Sequence, residues 1–253
     1  MNSVRPRLGQ LLSWLRERGP DIVLLQETKC IDDAFPALEI ESLGYNIALH
    51  GQKTYNGVAI LSKFPLEDIT RGLPGDDTDV AARYIEAVAS LPGKAMRVAS
   101  VYVPNGQSAD SEKFPYKLGF LDRLYAHAQQ LLSYDEMLVI GGDYNIAPED
   151  MDVHNAAAWQ GSVLTHFEVR KRLRRILNLG LKDAFRLHAP GAVAYSWWDY
   201  RANSFARDDG LRIDHLLVSA QAADCLQDCF IDKQVRGEEK ASDHVPVVGE
   251  FTL

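Results

Sequence analysis

Short apolar runs separated by polar turns set the rhythm of this chain. Residues 22–25 (IVLL), 137–140 (MLVI), 216–218 (LLV) and 245–248 (VPVV) are too short for helices and read as buried strands. Further strands are expected around residues 45–47, 57–61, 84–90 and 96–103. They lie too close together for helical crossovers and imply antiparallel hairpins, with 91–94 (LPGK) as one turn. Two stretches carry a helical period instead. Leu8, Leu11, Leu12 and Leu15 share a face in 7–18, as do Phe120, Leu121, Leu124, Ala128, Leu131 and Leu132 in 114–132. A third helix is expected around the basic cluster Arg170, Lys171, Arg172, Arg174 and Arg175, with Leu173, Ile176 and Leu177 as its apolar stripe. Its charged side reads equally well as a solvated face or a phosphate contact. A final group of strands is expected to carry Trp197, Asp214 and residues 245–251. Hairpins with scattered helices imply an α/β fold of two packed sheets with helices outside, in one domain over residues 1–253.

The ends of these strands carry the chemistry. Asp143 and Asn145 follow the 137–140 run, and on an extended backbone residues two apart share a face. Glu27 follows the 22–25 run, Asp214 enters the 216–218 run, and Asp243 with His244 precedes the 245–248 run. Each acid alone reads as a cap or a loop carboxylate. Together they make an oxygen-rich site without cysteine, suited to Mg²⁺ or Mn²⁺ rather than zinc. Such a site suits in-line attack of water on a phosphodiester. His50, His127, His154, His166 and His188 lack an acid partner at a recognisable strand end, and His215 is expected to face away from Asp214 and bond locally.

The order QETK, SVYVPNG, GDYNIAP, SWWDYR, GLRID and SDHVPV strongly resembles the bacterial exonuclease III family. That family is a branch of the endonuclease/exonuclease/phosphatase superfamily with a DNase I-like fold. The resemblance runs from Asn2 to the C-terminus and implies a four-layer α/β sandwich, two mixed sheets flanked by helices. It implies a metal-dependent DNA-repair phosphodiesterase: a 3′→5′ exonuclease on double-stranded DNA, an endonuclease at abasic (AP) sites and a 3′-phosphatase. By resemblance Glu27 is the principal metal ligand, Asp143 activates or aligns the attacking water, and Asn145 partners it near the phosphate. Tyr102 reaches the phosphate, Asp214 orients His244, and Asp243 is linked to the metal. The resemblance leaves open whether one or two metals act, and how exonuclease and AP endonuclease activities balance.

The aromatic segment Tyr195-Ser196-Trp197-Trp198-Asp199-Tyr200-Arg201 reads first as packing. The resemblance gives it a second reading, in which Trp197, Leu211 and Ile213 line a pocket for a base-free sugar, with Phe205 nearby. An abasic nucleotide has lost its stacking, so extruding it is cheap. Arg201 and Arg83 are expected phosphate or groove contacts.

The chain departs from the family at its start. The family opens with an apolar strand ending in Trp-Asn-x-Asn; here Asn2 stands at the second asparagine, and the strand and first asparagine are missing. A start placed too far downstream is the preferred explanation, and a shortened or inactive protein the other. Asn2 is expected to approach the metal through a water. The chain from Met1 is expected to be poorly active and less stable than one carrying that strand.

Composition adjusts this picture little. The 253 residues are 46% hydrophobic and 25% charged, ordinary for a globular protein with a substantial core. No membrane-length apolar stretch or signal-like N-terminus is visible. Cys30, Cys225 and Cys229 form no C-x-x-C pair and read as reduced thiols of a cytoplasmic protein. The net charge of -8 argues against tight non-specific polyanion binding, not against catalysis. A monomer acting on duplex DNA with abasic sites or 3′ ends is expected. The alternatives are a superfamily phosphatase acting on phosphoinositides or phospholipids, and a catalytically impaired DNA-binding module.

Overall fold

The computed structural model describes residues 1–252. Its first half runs α1 (Leu8–Arg18), β1 (Ile22–Gln26), α2 (Ala37–Glu41), β2 (Asn46–His50), β3 (Val58–Ser62), β4 (Leu66–Arg71), β5 (Tyr84–Leu91), β6 (Lys94–Tyr102) and α3 (Lys113–Leu132). The second half runs β7 (Met137–Asp143), α4 (Phe167–Leu177), β8 (Lys182–Asp183), α5 (Ala184–His188), α6 (Ser204–Arg207), β9 (Asp214–Val218), α7 (Ala220–Ala223), β10 (Leu226–Ile231) and β11 (Val247–Phe251).

Six strands form one sheet in the order β4-β5-β6-β7-β9-β8. It is mixed, because β6 and β7 pair in parallel around the crossover helix α3 while the other neighbours are antiparallel. The expected 91–94 turn joins β5 to β6. The facing layer is made of two separate antiparallel sheets, β1-β3-β2 and β10-β11.

Three apolar interfaces stack these elements into four layers. Leu121 and Leu124 of α3 and Val169 and Leu173 of α4 pack with Val101, Leu138 and Ile140 on the outer face of the large sheet. Val98 and Val139 point the other way, against Ile60 of β3 and Cys229 of β10. Leu11 and Leu15 of α1 and Ile40 of α2 cover Leu25, Ala59 and Leu61. Strands buried on both faces need apolar residues at consecutive positions, which is why the central runs are continuous and not alternating. The four-layer sandwich with helices outside is therefore the architecture.

Particular elements differ from the sequence reading. Trp197 lies in no strand; it makes isolated bridges to Leu211 and His244. The short edge strand β4 carries only one apolar pair, Leu66 and Ile69, and its polar residues hid it. The basic side of α4 is tied down internally. Arg170 pairs with Asp150, and Arg172 and Arg175 both pair with Asp122 of α3, so this face clasps two helices together. His215 is buried; its Nδ1 lies 3.0 Å from the nearby Arg212 Nη1, while its Nε2 meets the distant Ile146 carbonyl oxygen at 2.8 Å. Among the described residues, no helix is long and apolar enough to cross a membrane.

Candidate active site at the shared strand ends

Neighbouring strands bring the candidate acids to one end of the sandwich. Asp143 closes β7 and Asp214 opens β9, and the antiparallel register places them directly opposite each other. Tyr102 closes β6 and pairs with Asp143 across the parallel ladder. Gly142, at φ 152°, makes this convergence possible. A Cβ there would stand 2.0 Å from the Val101 carbonyl oxygen. No residue larger than glycine fits so close to a neighbouring backbone.

Asn145 reaches Asp143 by a route the sequence reading did not anticipate. Its backbone is left-handed (φ 51°), not extended. The side chain folds back so that Nδ2 donates to Asp143 Oδ2 at 3.2 Å and to the Val103 carbonyl at 3.0 Å. Its backbone N–H donates to Asp143 Oδ1 at 2.8 Å. Asn105 donates to Asn145 Oδ1 at 3.0 Å. Beneath this loop the fully buried Lys117 donates to the carbonyls of Asn145 (2.7 Å), Val163 (2.9 Å) and Asn105 (3.1 Å). Neither Asn105 nor Lys117 was singled out from the sequence. Lys117 sits on the helix face of α3 that also holds Phe120 and Leu121, and that placement was the available signal.

His244 joins the two acids. Its Nδ1 lies 3.0 Å from Asp214 Oδ2, and its Nε2 lies 3.8 Å from Asp143 Oδ2. Ser196, a second unanticipated member, donates to Asp214 Oδ2 at 2.6 Å and accepts the N–H groups of Ile213 and Asp214. Burial raises the Asp143 carboxyl to about 7, while the charge of His244 pulls it the other way. Burial alone would lower His244; the charges of Asp214 and Asp143 and the bond to Asp214 overcome it and raise the imidazole to about 9. The pair is therefore set as imidazolium and carboxylate between these values.

A second group lies beside the first. Glu27, with a left-handed φ of 56°, turns off the end of β1 and its Oε1 accepts from Tyr102 Oη at 2.6 Å. Burial and the Glu27 carboxylate push the Tyr102 phenol well above its ordinary value. Arg83 lies over the Tyr102 ring, 4.7 Å from its centroid. Asn2 donates to Asp243 Oδ1 at 3.1 Å, and Trp197 Nε1 donates to Asp243 Oδ2 at 3.1 Å. Burial opposes the ionised Asp243, but His244 and these two donors hold its carboxyl down at about 2. Lys29 stands between the halves, with Nζ 2.7 Å from Asn2 Oδ1 and 3.5 Å from Glu27 Oε2.

Among the described residues, Asp143, Asp214 and His244 offer ligand atoms within 4.8 Å of one another. Glu27 and Asp243 belong to no such group of three. The surrounding donors are carboxylate, amide and imidazole without a thiolate, a set that fits a hard divalent cation.

The expected sugar pocket is only partly assembled. Trp197 is held by paired backbone bonds to Leu211 (both 3.0 Å), beside Asp243. Leu211 and Ile213 are enclosed in the core and support Trp197 from beneath. Phe205 does not join them: it packs edge-on against Trp198, centroids 5.3 Å apart, and consecutive tryptophans leave this segment on opposite sides. Arg201 is turned outward, 87% exposed, and held by Asp199. Trp159, unremarked in the sequence, meets Trp197 edge-on at 6.3 Å.

The geometry agrees with what this chain is similar to. Exodeoxyribonuclease III of Haemophilus influenzae is 38% identical over 263 residues, spanning 99% of this chain and 97% of that protein. The solved structure of the 3′ phosphatase NExo from Neisseria, bound to a product DNA hairpin, superimposes with a TM-score of 0.96 at 39% identity, covering 100% of this chain and 96% of that one. An AP endonuclease from Archaeoglobus fulgidus gives a TM-score of 0.94 at 38% identity, covering 100% of this chain and 96% of that one. Residues 1–244 match the Endonuclease/Exonuclease/phosphatase family, and the chain belongs to that family.

Proposed function

We propose that this chain is a metal-dependent DNA-repair phosphodiesterase, acting as a 3′→5′ exonuclease on duplex DNA, as an AP endonuclease and as a 3′-phosphatase. The observation that carries the reading is His244 held between Asp214 and Asp143 at the paired strand ends, with Asn145 bonded to the same Asp143 carboxylate. A bound Mg²⁺, or Mn²⁺ in its place, neutralises phosphate charge. Glu27 with Asp243, and Asn2 through a water, would hold it.

The chain's own residues do the rest. Asp143, raised to about 7, is poised near neutrality to orient a water and take its proton. Asn145 fixes that carboxylate by two bonds, so it does not rotate during the reaction. His244, kept cationic by Asp214, stabilises the negative charge that grows on the phosphoryl oxygens. Tyr102 at the end of β6 and Arg83 just before β5 would offer a phenol and a guanidinium to the phosphate. Trp197 would wall the place of a base-free sugar, whose nucleotide is cheap to extrude because it has lost its stacking. The reading includes a monomeric, single-domain protein working in a reducing cytoplasm.

The test is incision of a duplex carrying one abasic site, in Mg²⁺ and in EDTA, beside release of phosphate from a soluble phosphoinositide. Mg²⁺-dependent cleavage on the 5′ side of the abasic site is expected, without action on the phosphoinositide. Phosphoinositide hydrolysis alone, or tight binding to the abasic duplex without cleavage, would overturn it.

A further inference from the structure

Three stretches of chain meet beside the site, and one buried side chain reaches all of them. Lys117 Nζ donates to the carbonyl oxygens of Asn105 after β6, Asn145 after β7 and Val163 before α4. Its stem runs from α3 past Gly106, whose left-handed φ of 91° and missing side chain leave the room. A Cβ on Gly106 would stand 3.0 Å from Lys117 Cδ.

An ammonium has three hydrogens, and three carbonyls use all of them. Burial pushes this group down to about 7, against the pull of the Asp143 carboxylate. A methionine would fill the same channel without that cost. It would also leave the oxygens of Asn145 and Val163 enclosed without this donor. The charge is kept for what it holds.

What it holds reaches the chemistry by two routes. Asn145 lies beyond the end of β7 with a left-handed backbone, outside the strand ladder. Its N–H and side chain fix Asp143, so whatever fixes the Asn145 main chain fixes that carboxylate. Val163 belongs to the turn that closes on Trp159. The Trp159 carbonyl accepts from Ser162 N–H at 3.0 Å and from Thr165 Oγ1 at 2.5 Å. Trp159 in turn is the ring that meets Trp197.

We infer that Lys117 is a positioning residue of the reaction: its ammonium holds the main chain of Asn145, and through it the Asp143 carboxylate, in fixed relation to the turn that carries Trp159. The inference rests on the phosphodiesterase reading above. Lys117 is itself enclosed, so it acts only through the carbonyls it bonds.

Lys117→Met, Lys117→Gln and Lys117→Arg test it, by incision of an abasic duplex in Mg²⁺ and by amide exchange in the metal-free protein. Lys117→Met is expected to lower kcat about 10²-fold, the scale of a misplacement of about 1 Å, with KM changed less than about threefold. Lys117→Arg keeps the charge and the donors and should recover most of that loss. Lys117→Gln keeps two N–H donors without the charge and should fall between; it carries the test if the Met variant does not fold. Exchange at the Asn145 amide should quicken at least about tenfold relative to Val139 and Ile140 of β7, whose amides open with the sheet. Equal quickening at all three amides with kcat unchanged would make Lys117 a packing residue and overturn the proposal. A loss confined to KM would overturn it too. If the unaltered protein does not cut the duplex, the phosphodiesterase reading falls by itself, and exchange at Asn145 still decides the role of Lys117.

Discussion

The two nitrogens of His244 face different carboxylates: Nδ1 stands 3.0 Å from Asp214 Oδ2, and Nε2 stands 3.8 Å from Asp143 Oδ2. The nearer acid also accepts from Ser196, whose Oγ in turn accepts the N–H groups of Ile213 and Asp214, so its position is fixed independently of the imidazole. Asp143 is fixed in the same way by Asn145. The imidazole is therefore clamped between two acids that cannot move towards each other, and the clamp sets its charge.

The first prediction follows from that charge. In the metal-free protein, His244 titrates at about 9 in place of the ordinary 6.5. A raised folded value means that its contribution to stability is full below the unfolded value and fades as pH rises through about 9. Asp214→Asn removes the charge and weakens the bond, so the titration midpoint should move down. Imidazole resonances followed by NMR between pH 6 and 10 measure this directly. The stability gap between wild type and Asp214→Asn should be wider at pH 6 than at pH 9.5. A midpoint that does not move would mean that Asp214 does not set the charge of His244.

Asp143→Asn tests the water-activating role. The amide is nearly the same size, so the fold should persist, but it is a poor base. Cleavage of an abasic duplex in Mg²⁺ should fall about 10²–10⁴-fold, the scale of one general base. Melting temperature should hold or rise, since a carboxyl whose value is raised by burial is a stability cost above about 7. Near wild-type turnover would remove Asp143 from the mechanism.

How much of this was legible in the sequence depends on the range of the interaction. The strands around Asp143 announced themselves because burial on both faces forces continuous apolar runs, a local signal. The acids at their ends were visible for the same reason. What local patterns could not give was register: that Asp143 lies opposite Asp214 is a pairing between residues far apart in the chain. The turn at Asn145 was missed because an Asp-x-Asn can continue a strand or leave it left-handed, and the sequence alone favours neither. Phe205 was misplaced by adjacency. Its ring packs on Trp198, so nearness in sequence to Trp197 did not become nearness in space. Ser196, Lys117 and Arg212 escaped because polar residues read as surface until their buried partners are known.

The aromatic contact beside Asp243 gives a third prediction. Trp197 meets Trp159 edge-on and is pinned by its bond to Asp243. If these rings wall a pocket for an extruded sugar, Trp197→Ala should weaken abasic incision more than removal of a terminal 3′-phosphate, which needs less extrusion. Trp159→Ala should show the same bias to a smaller degree, because Trp159 supports the wall from one side. Rates on the two substrates, measured on the same preparations, decide it. Equal losses on both, with a lowered melting temperature, would make these rings packing and nothing more.

The final prediction concerns the charges behind β9. Arg212 is 1% exposed; its Nε donates to the fully buried Asp152 at 2.7 Å and its Nη1 to Asp183 at 2.7 Å. Arg186 reaches the same Asp152, and His215 lies 3.0 Å from Arg212. Burial opposes the charge on Asp152, but Arg212 and Arg186 hold its carboxyl below the usual range. Arg212→Met keeps much of the side-chain volume and leaves Asp152 with one guanidinium and Asp183 with none. Breaking a buried pair from one side costs about 3–5 kcal/mol, so urea unfolding should show a loss of that size. The melting temperature should fall by roughly 6–20 °C for a protein of this length. Asp152→Asn together with Arg212→Met removes charge of both signs and should recover part of the loss. Because Arg212 lies two residues before Asp214, the single variant should also lower turnover, as the start of β9 loses its anchor. A single variant as stable as wild type would show that the other cations carry the network without Arg212.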